Sequence, residues 1–342
     1  MIVNQEDFWR SILQGLRRYS FFTVSQLKGW RRSVTAVASG CAILLGPPAG
    51  SPAGRVAIPY ASNHTLDHAV SQTWDASRLT TLPDGVLHYT PNGNFDDTGA
   101  FLPAGAGFNV ADIADPSHLK TLPDGVQVLV WVGQCDGVTE KFLATVGPFL
   151  GDRRVFGYYL MDDPDPRSII GASPPCPPAR LREESDWLHE HVPGTKTVIV
   201  LMNMSDARTP LYKDTYDPVN SHVDLFGLSA YPCRTEFNGC DRGLIRRYVA
   251  ASDLAGIPRS QIMPIYQAFG GGLWRDDEGG SYIMPNPTEE TEIITQWRAL
   301  IPNPVLDMAY SWGTQREDIS LHDAPGLKAV FSIYNKRAPR QP

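Results

Sequence analysis

The sequence has no long run of Lys and Arg beyond its first fifty residues, and its formal net charge is −7. A phosphate backbone needs concentrated positive charge, so nucleic acid is not an expected partner. No Gly-x-Gly-x-x-Gly follows the first apolar strand, which argues against a dinucleotide fold. Cysteine is scarce, 5 among 342 residues, and no Cys-x-x-Cys or partnered His sets up zinc spacing. No metal and no cofactor are expected. Low-complexity tracts are also missing. The 30 glycines and 29 prolines are spread without period, so they imply many loops between short elements, not disorder.

What is present begins with an atypical leader. Lys28, Arg31 and Arg32 precede the apolar run Ser33–Leu45, and small residues follow around Ala49–Ala53. This is the order of a secretory signal peptide: basic flank, short apolar stretch, cleavage site. The run is too short for an ordinary membrane span. Residues before Val24 read as an upstream extension. Residues 1–53 are thus expected to be a leader and 54–342 the working domain. An anchoring helix is the alternative, and a lipoprotein site at Cys41 a weaker one. Secretion suits the remaining cysteines, Cys135, Cys176, Cys233 and Cys240, which allow three pairings. The expected pairs are Cys135–Cys176 and Cys233–Cys240, because each can then lie on one face of the fold proposed below.

From Val86 onward, apolar runs alternate with helical stretches. Leu79-Thr-Thr-Leu-Pro-Asp-Gly-Val86 recurs as Leu119-Lys-Thr-Leu-Pro-Asp-Gly-Val126, the same turn delivering the chain into a strand twice. Strands are expected near residues 86, 108, 126, 155, 197, 223, 262 and 305. Helices are expected over Thr139–Leu150, Ala179–His191, Arg242–Ala255, Asn286–Leu300 and Pro325–Asn335. Asn286-Pro-Thr-Glu289 reads as a cap, a first-turn proline and an acidic third position. Eight apolar strands with intervening helices argue a parallel sheet, and eight is the number that a closed (β/α)8 barrel, an α/β TIM barrel in a single domain, requires. A doubly wound open sheet is the competitor.

The centre of the sequence is Val155-Phe-Gly-Tyr-Tyr-Leu-Met-Asp-Asp-Pro-Asp-Pro166. Pro164 cannot donate to a sheet ladder, so the strand should stop there, with Asp162 and Asp163 at its carboxyl end. In a barrel that end faces the active-site rim. The other strand ends bring Asp112, Trp131, Gln134, Asp136, Asn203, Tyr231, Glu236, Gln267, Tyr310 and Trp312. Aromatic faces with carboxylates and amides suit a polyhydroxylated ligand. Tyr158, Tyr159 and Phe226 read as core. Asp224 and Asp307 begin their strands and read as structural, at the opposite end.

Gly157–Pro164 resembles the fourth-strand Asn-Glu-Pro or Asp-Glu-Pro segment of retaining TIM-barrel glycoside hydrolases. Val223–Pro232, Pro264–Gly270 and Ala309–Trp312 are similar to their sixth, seventh and eighth strands. The resemblance spans roughly residues 86–335. It implies Asp163 as the acid/base, and it sets Gln267 where those enzymes hold a nucleophilic glutamate. A glutamine cannot form the glycosyl ester of a retaining mechanism. Three readings follow: Asp162, Asp136 or Glu236 supplies a different second carboxylate, the enzyme inverts with carboxyls ~6.5–9.5 Å apart around a water, or the barrel binds sugars without cleaving them.

The sequence thus predicts a secreted, monomeric glycoside hydrolase acting on an extracellular or cell-wall polysaccharide or oligosaccharide. Asp163 is the expected general acid, with Asp162 orienting it or acting as its partner. Gln267, Asn203, Gln134 and Glu236 are expected to bind sugar hydroxyls, and Tyr231, Tyr310, Trp312 and Trp131 to wall the site. Two other readings stand: a carbohydrate-binding barrel without catalysis, and a metal-dependent hydrolase using Asp162, Asp163 and Asp165.

Overall fold

The computed structural model describes residues 85–166, 175–202, 204, 211–275 and 280–336. All fall within the unit Val70–Pro342. The expected leader, Asn203 and the acidic stretch 276–278 lie outside the described residues.

Eight parallel strands close a barrel. They are β1 (Leu87–Tyr89), β2 (Val110–Ile113), β3 (Gln127–Trp131), β4 (Val155–Asp162), β5 (Lys196–Leu201), β6 (Leu225–Leu228), β7 (Ile262–Gln267) and β8 (Leu306–Tyr310). β1 pairs with β2 on one side and β8 on the other, so no edge is left open and the doubly wound alternative falls. Each strand sits within an expected apolar run. The crossovers after β1 and β2 are only 3-10 turns, Leu102–Ala106 and Pro116–Lys120. Four of the later ones carry α1 (Glu140–Val146), α2 (Pro178–His191), α3 (Leu244–Leu254) and α4 (Pro287–Leu300), the one between β5 and β6 has only the helical turn Pro218–Ser221, and α5 (Pro325–Tyr334) follows β8.

Local chemistry sets the helix ends. The Asn286 side chain accepts from the Thr288 and Glu289 N–H groups, and Glu289 accepts from the Asn286 N–H, a reciprocal cap on α4. After α3 the chain turns at Gly256, whose φ of +84° suits a residue without Cβ. Thr139 caps α1, and Pro148 follows in a 3-10 turn that ends it before Leu150.

Strand alternation splits the apolar side chains into two layers. Val110, Leu129, Val198, Val200, Met263, Ile265, Leu306 and Met308 fill the barrel. Their strand neighbours Ala111, Val130, Ile199, Leu201, Phe226 and Ala309 face outward, onto helix residues such as Phe142, Leu188, Ile294 and Phe331. Asp307 lies in the outer layer, 1% exposed, and accepts from the Tyr334 hydroxyl (3.0 Å) with His88 Nδ1 at 2.8 Å. Asp224 precedes β6 and is bonded by the Thr197 N–H (2.9 Å) and Lys196 (3.1 Å). Hydrogen bonds from Thr197, His189 and Lys196 outweigh burial and hold the Asp224 carboxyl below its ordinary value. Neither aspartate lines the cavity described below.

One irregularity decides what reaches the barrel interior. Tyr159 of β4 pairs with Val198, but the next pair is Met161 with Ile199, then Asp162 with Val200. Leu160 is therefore an extra residue, a bulge. With period two, an unbulged strand would send Tyr159, Met161 and Asp163 to one face. The bulge instead turns Tyr159 and Asp162 inward.

Both expected disulfides are present, with Cα atoms 5.5 Å apart for Cys135–Cys176 and 3.8 Å for Cys233–Cys240. The first closes a separation of 41 residues and joins the segments after β3 and β4. Loop entropy gives that link roughly 4 kcal/mol. Replacing both Cys135 and Cys176 by Ala is expected to lower unfolding free energy by up to that amount in urea denaturation.

Beside this bridge, Glu184 of α2 accepts the Gly137 N–H at 3.0 Å. Burial pushes its carboxyl up to about 8. A raised folded-state pKa means the stabilising contribution is full at low pH and is lost as pH rises through about 8. Glu184→Gln is expected to flatten the fall in melting temperature between about pH 5 and about pH 8, as scanning calorimetry would show.

Candidate active site

At the carboxyl ends of β1, β2, β3, β4 and β8 lies a cavity of about 260 Å3. Tyr89, Asp112, Trp131, Tyr159, Asp162, Met308 and Tyr310 line it, with Pro91, Asn92 and Ala114 from the loops after β1 and β2 and Gln315 after β8. Barrel strands end in inward-pointing residues here, so five separate strands contribute one or two groups each.

Two carboxylates face this space. Asp112 accepts from the Tyr89 hydroxyl at 3.0 Å and from the Asn92 N–H at 3.1 Å. Asn92 can aim that N–H because its φ is +69°, a conformation asparagine tolerates. Asn94 fastens the same loop, accepting the Asp112 N–H at 2.9 Å and donating to the Thr90 carbonyl at 2.8 Å. Asp162 accepts from the Tyr159 hydroxyl at 2.6 Å. The Trp131 ring stands edge-on to Tyr159, with centroids 4.8 Å apart, and fixes that phenol from the side. Tyr310 donates to Gln315 across the rim.

Burial raises both carboxyls above the ordinary aspartate value. The balance then differs. Asp112 has two donors that favour its ionised form. Asp162 has one donor, and the Asp112 charge pushes it further up. Neighbouring environments that differ in this way separate an acid from a base. Both carboxyls are thus pushed toward their protonated forms, Asp112 by burial and Asp162 by burial together with the Asp112 charge. Tyr159→Phe removes a hydrogen bond that favours ionised Asp162. The alkaline limb of a pH–activity profile is expected to move upward in that variant.

Several expected site residues lie elsewhere. Asp163 is not among the cavity-lining groups. It follows β4 with φ +45° and donates its N–H to the Val200 carbonyl at 3.0 Å. Its charge acts on Tyr159, Tyr212, Tyr231 and Tyr310, so it lies close to the site. The Leu160 bulge is the reason it does not line the cavity. Gln267 is fully buried, and its amide is committed to backbone. Oε1 accepts from the Cys233 N–H (2.8 Å), and Nε2 donates to the carbonyls of Cys233 (3.0 Å), Ile283 (2.9 Å) and Phe269 (3.3 Å). It holds no substrate in this arrangement. Trp312 turns to the outer layer, edge-on to Phe108 and His322, because it lies beyond the last strand residue. Gln134 donates to Thr145 of α1 at 2.9 Å, also outside the cavity. Glu236 and Asp136 are exposed on loops, the former 3.7 Å from Arg234. Tyr231 is 8% exposed and packs into an aromatic cluster at one side of the mouth.

Trp131 and Tyr310 do line the cavity, with Asp162. Sequence reasoning placed Asp112 on the rim but not in the pair, and it read Tyr159 as core and passed over Tyr89. A signal was available for Asp112. It is the one charged residue in the apolar stretch Phe108–Ile113, two positions from Val110 and so on the same strand face. Among the described residues, no group of three metal-capable side chains gathers, so Asp162, Asp163 and Asp165 do not converge as the metal-dependent reading required.

No protein family model matches this sequence, and no curated protein matches it. Among solved structures, the chain is similar to the GH18 chitinase ChiB of Flavobacterium johnsoniae, at 9% identity and TM-score 0.46, over 74% of this chain and 94% of that one. It is similar to a chitinase-like agglutinin of Robinia pseudoacacia at 12% identity and TM-score 0.42, over 72% and 98%. A fungal endo-β-N-acetylglucosaminidase of glycosyl hydrolase family 18 matches at 12% identity and TM-score 0.42, over 75% and 98%. Likenesses at this level carry no activity with them. The strand pairings by themselves establish that the chain is a closed (β/α)8 barrel.

Proposed function

We propose that the chain is a glycoside hydrolase in which Asp162 is the general acid and Asp112 the second carboxylate. The observation that carries this reading is the pair itself. Two aspartates with raised pKa values face one cavity, each fastened by a tyrosine and walled by aromatic rings. Asp162 would give its proton to the glycosidic oxygen as the bond to the anomeric carbon breaks. Ionised Asp112 would stabilise the positive charge that develops on the sugar ring. Water completes the reaction by adding its oxygen to the anomeric carbon and giving one proton to ionised Asp162, which restores the acid. Trp131 and Tyr310 offer ring faces for the apolar side of a sugar. Two disulfides support a location outside the cytoplasm, and among the described residues no helix is long and apolar enough to cross a membrane.

The test is release of reducing ends from a panel of plant, fungal and bacterial polysaccharides. Activity that is lost in Asp112→Asn and kept in Asp163→Asn supports the assignment. Loss in Asp163→Asn with retention in Asp112→Asn would return the acid to the neighbouring residue. One observation favours a second reading, glycan binding without cleavage. The seventh-strand position that bears a nucleophile in the retaining enzymes this sequence resembles is held here by Gln267, which is spent on backbone. Binding without hydrolysis on the whole panel would select that reading.

A further inference from the structure

The cavity uses the ends of β1 to β4 and β8, but no residue of β5, β6 or β7. Among the described residues, the mouth above β6 and β7 is occupied by a cluster of edge-on and tilted rings. Tyr231 stands edge-on to Phe269 (5.0 Å between centroids) and to Tyr282 (5.8 Å), and Phe269 packs on Tyr282 at 5.0 Å. Tyr310 joins this cluster, 5.3 Å from Phe269, so one ring borders both the cluster and the cavity. None of Tyr231, Phe269 and Tyr282 is more than 8% exposed.

Three backbone segments hold these rings, and one amide laces them. Gln267 bonds to Cys233, Phe269 and Ile283. Between the segments, the Ile283 N–H donates to the Cys233 carbonyl (2.9 Å) and the Gly271 N–H to the Tyr282 carbonyl (2.8 Å). The Cys233–Cys240 bridge pins the remaining loop. Among the described residues this is a packed wall, tied together by backbone and amide hydrogen bonds. It blocks one side of what would otherwise be an open cleft.

We infer that the site is a pocket for the terminal unit of a glycan, and that the enzyme acts from a chain end. The inference rests on the glycosidase reading above. The cavity's 260 Å3 supports it, being just under the ~300–1,000 Å3 of sites for larger ligands and suited to a single sugar ring. With the wall in place, a polymer cannot thread past the acid pair on the β6–β7 side. The unit at the pair is then the last one, and each turnover releases a single sugar.

The test uses cello-, xylo-, manno-, galacto- and chito-oligosaccharides of two to six units with a fluorophore on the reducing end. The expected result is a ladder that shortens by one unit at a time. Mid-length fragments at the earliest times would overturn the pocket and leave the glycosidase reading intact. Absence of cleavage on every series would instead remove that reading. Calorimetry with the unlabelled series then judges the pocket by itself. Affinity that levels off by the second unit supports it. Affinity that rises about tenfold or more between two and four units, or no binding at all, overturns it. Tyr282→Ala, checked by circular dichroism for folding, thins the wall and is expected to add mid-length products. An unchanged ladder in a folded Tyr282→Ala protein would show that the wall does not set chain-end action.

Discussion

Asp162→Asn is expected to lower kcat by roughly 10²–10⁴-fold, the usual contribution of a general acid. Asparagine keeps the shape and can still accept from Tyr159, but it has no proton to give. KM should change little, because the lost interaction belongs to bond breaking. Asp163→Asn is the control: asparagine tolerates the left-handed conformation at that position, so the backbone turn survives and kcat should stay near wild type. The same substitution has a second, thermodynamic signature. Asp162 has a raised pKa in the folded protein, so its stabilising contribution is present below the unfolded value and is lost as pH rises through the folded one. Asp162→Asn removes that penalty. The variant is expected to melt higher than wild type at neutral pH and equally at pH values below the ordinary aspartate range. Equal melting temperatures at both would show that Asp162 bears no burial penalty.

Gln267→Glu is expected to destabilise the protein by on the order of 3–5 kcal/mol and to create no new nucleophile. By resemblance the change restores a glutamate that other barrels use. By geometry it sets a carboxylate against three carbonyl oxygens, from Cys233, Phe269 and Ile283. All three lose a donor, and the new charge is buried with a single donor, the Cys233 N–H. A shift of the denaturation midpoint measures the effect. A variant as stable as wild type, trapping a glycosyl ester, would mean that Gln267 can swing out of its backbone contacts.

How far the sequence reveals this molecule depends on whether a residue's role is local. Strands and helices are local: Val126–Val132 contains β3, and the Asn286 cap opens α4 as its residues require. The closed count of eight follows from those runs. Disulfide partners were legible because the barrel brings the segments after β3 and β4 together. Strand register was not. Tyr158-Tyr-Leu-Met161 is apolar on both faces of a parallel strand, so no polar alternation marks the extra Leu160. The same strand paired without a bulge would present Asp163 where Asp162 now lines the cavity. Gln267 illustrates a different limit. A polar side chain at a strand end looks the same in sequence whether it meets a ligand or backbone, and only the fold of the Cys233 and Ile283 segments tells which. Asp112 needed the left-handed Asn92 to complete its shell, a contact across 20 residues.

The bulge at Leu160 also makes the inward face of the strand insensitive to that one residue. A chain lacking Leu160 would keep the pairs Tyr159–Val198, Met161–Ile199 and Asp162–Val200, and Asp162 would still turn inward. The same residues paired without a skip would present Asp163 in its place, so the doubled aspartate leaves a carboxylate at the strand end in either register.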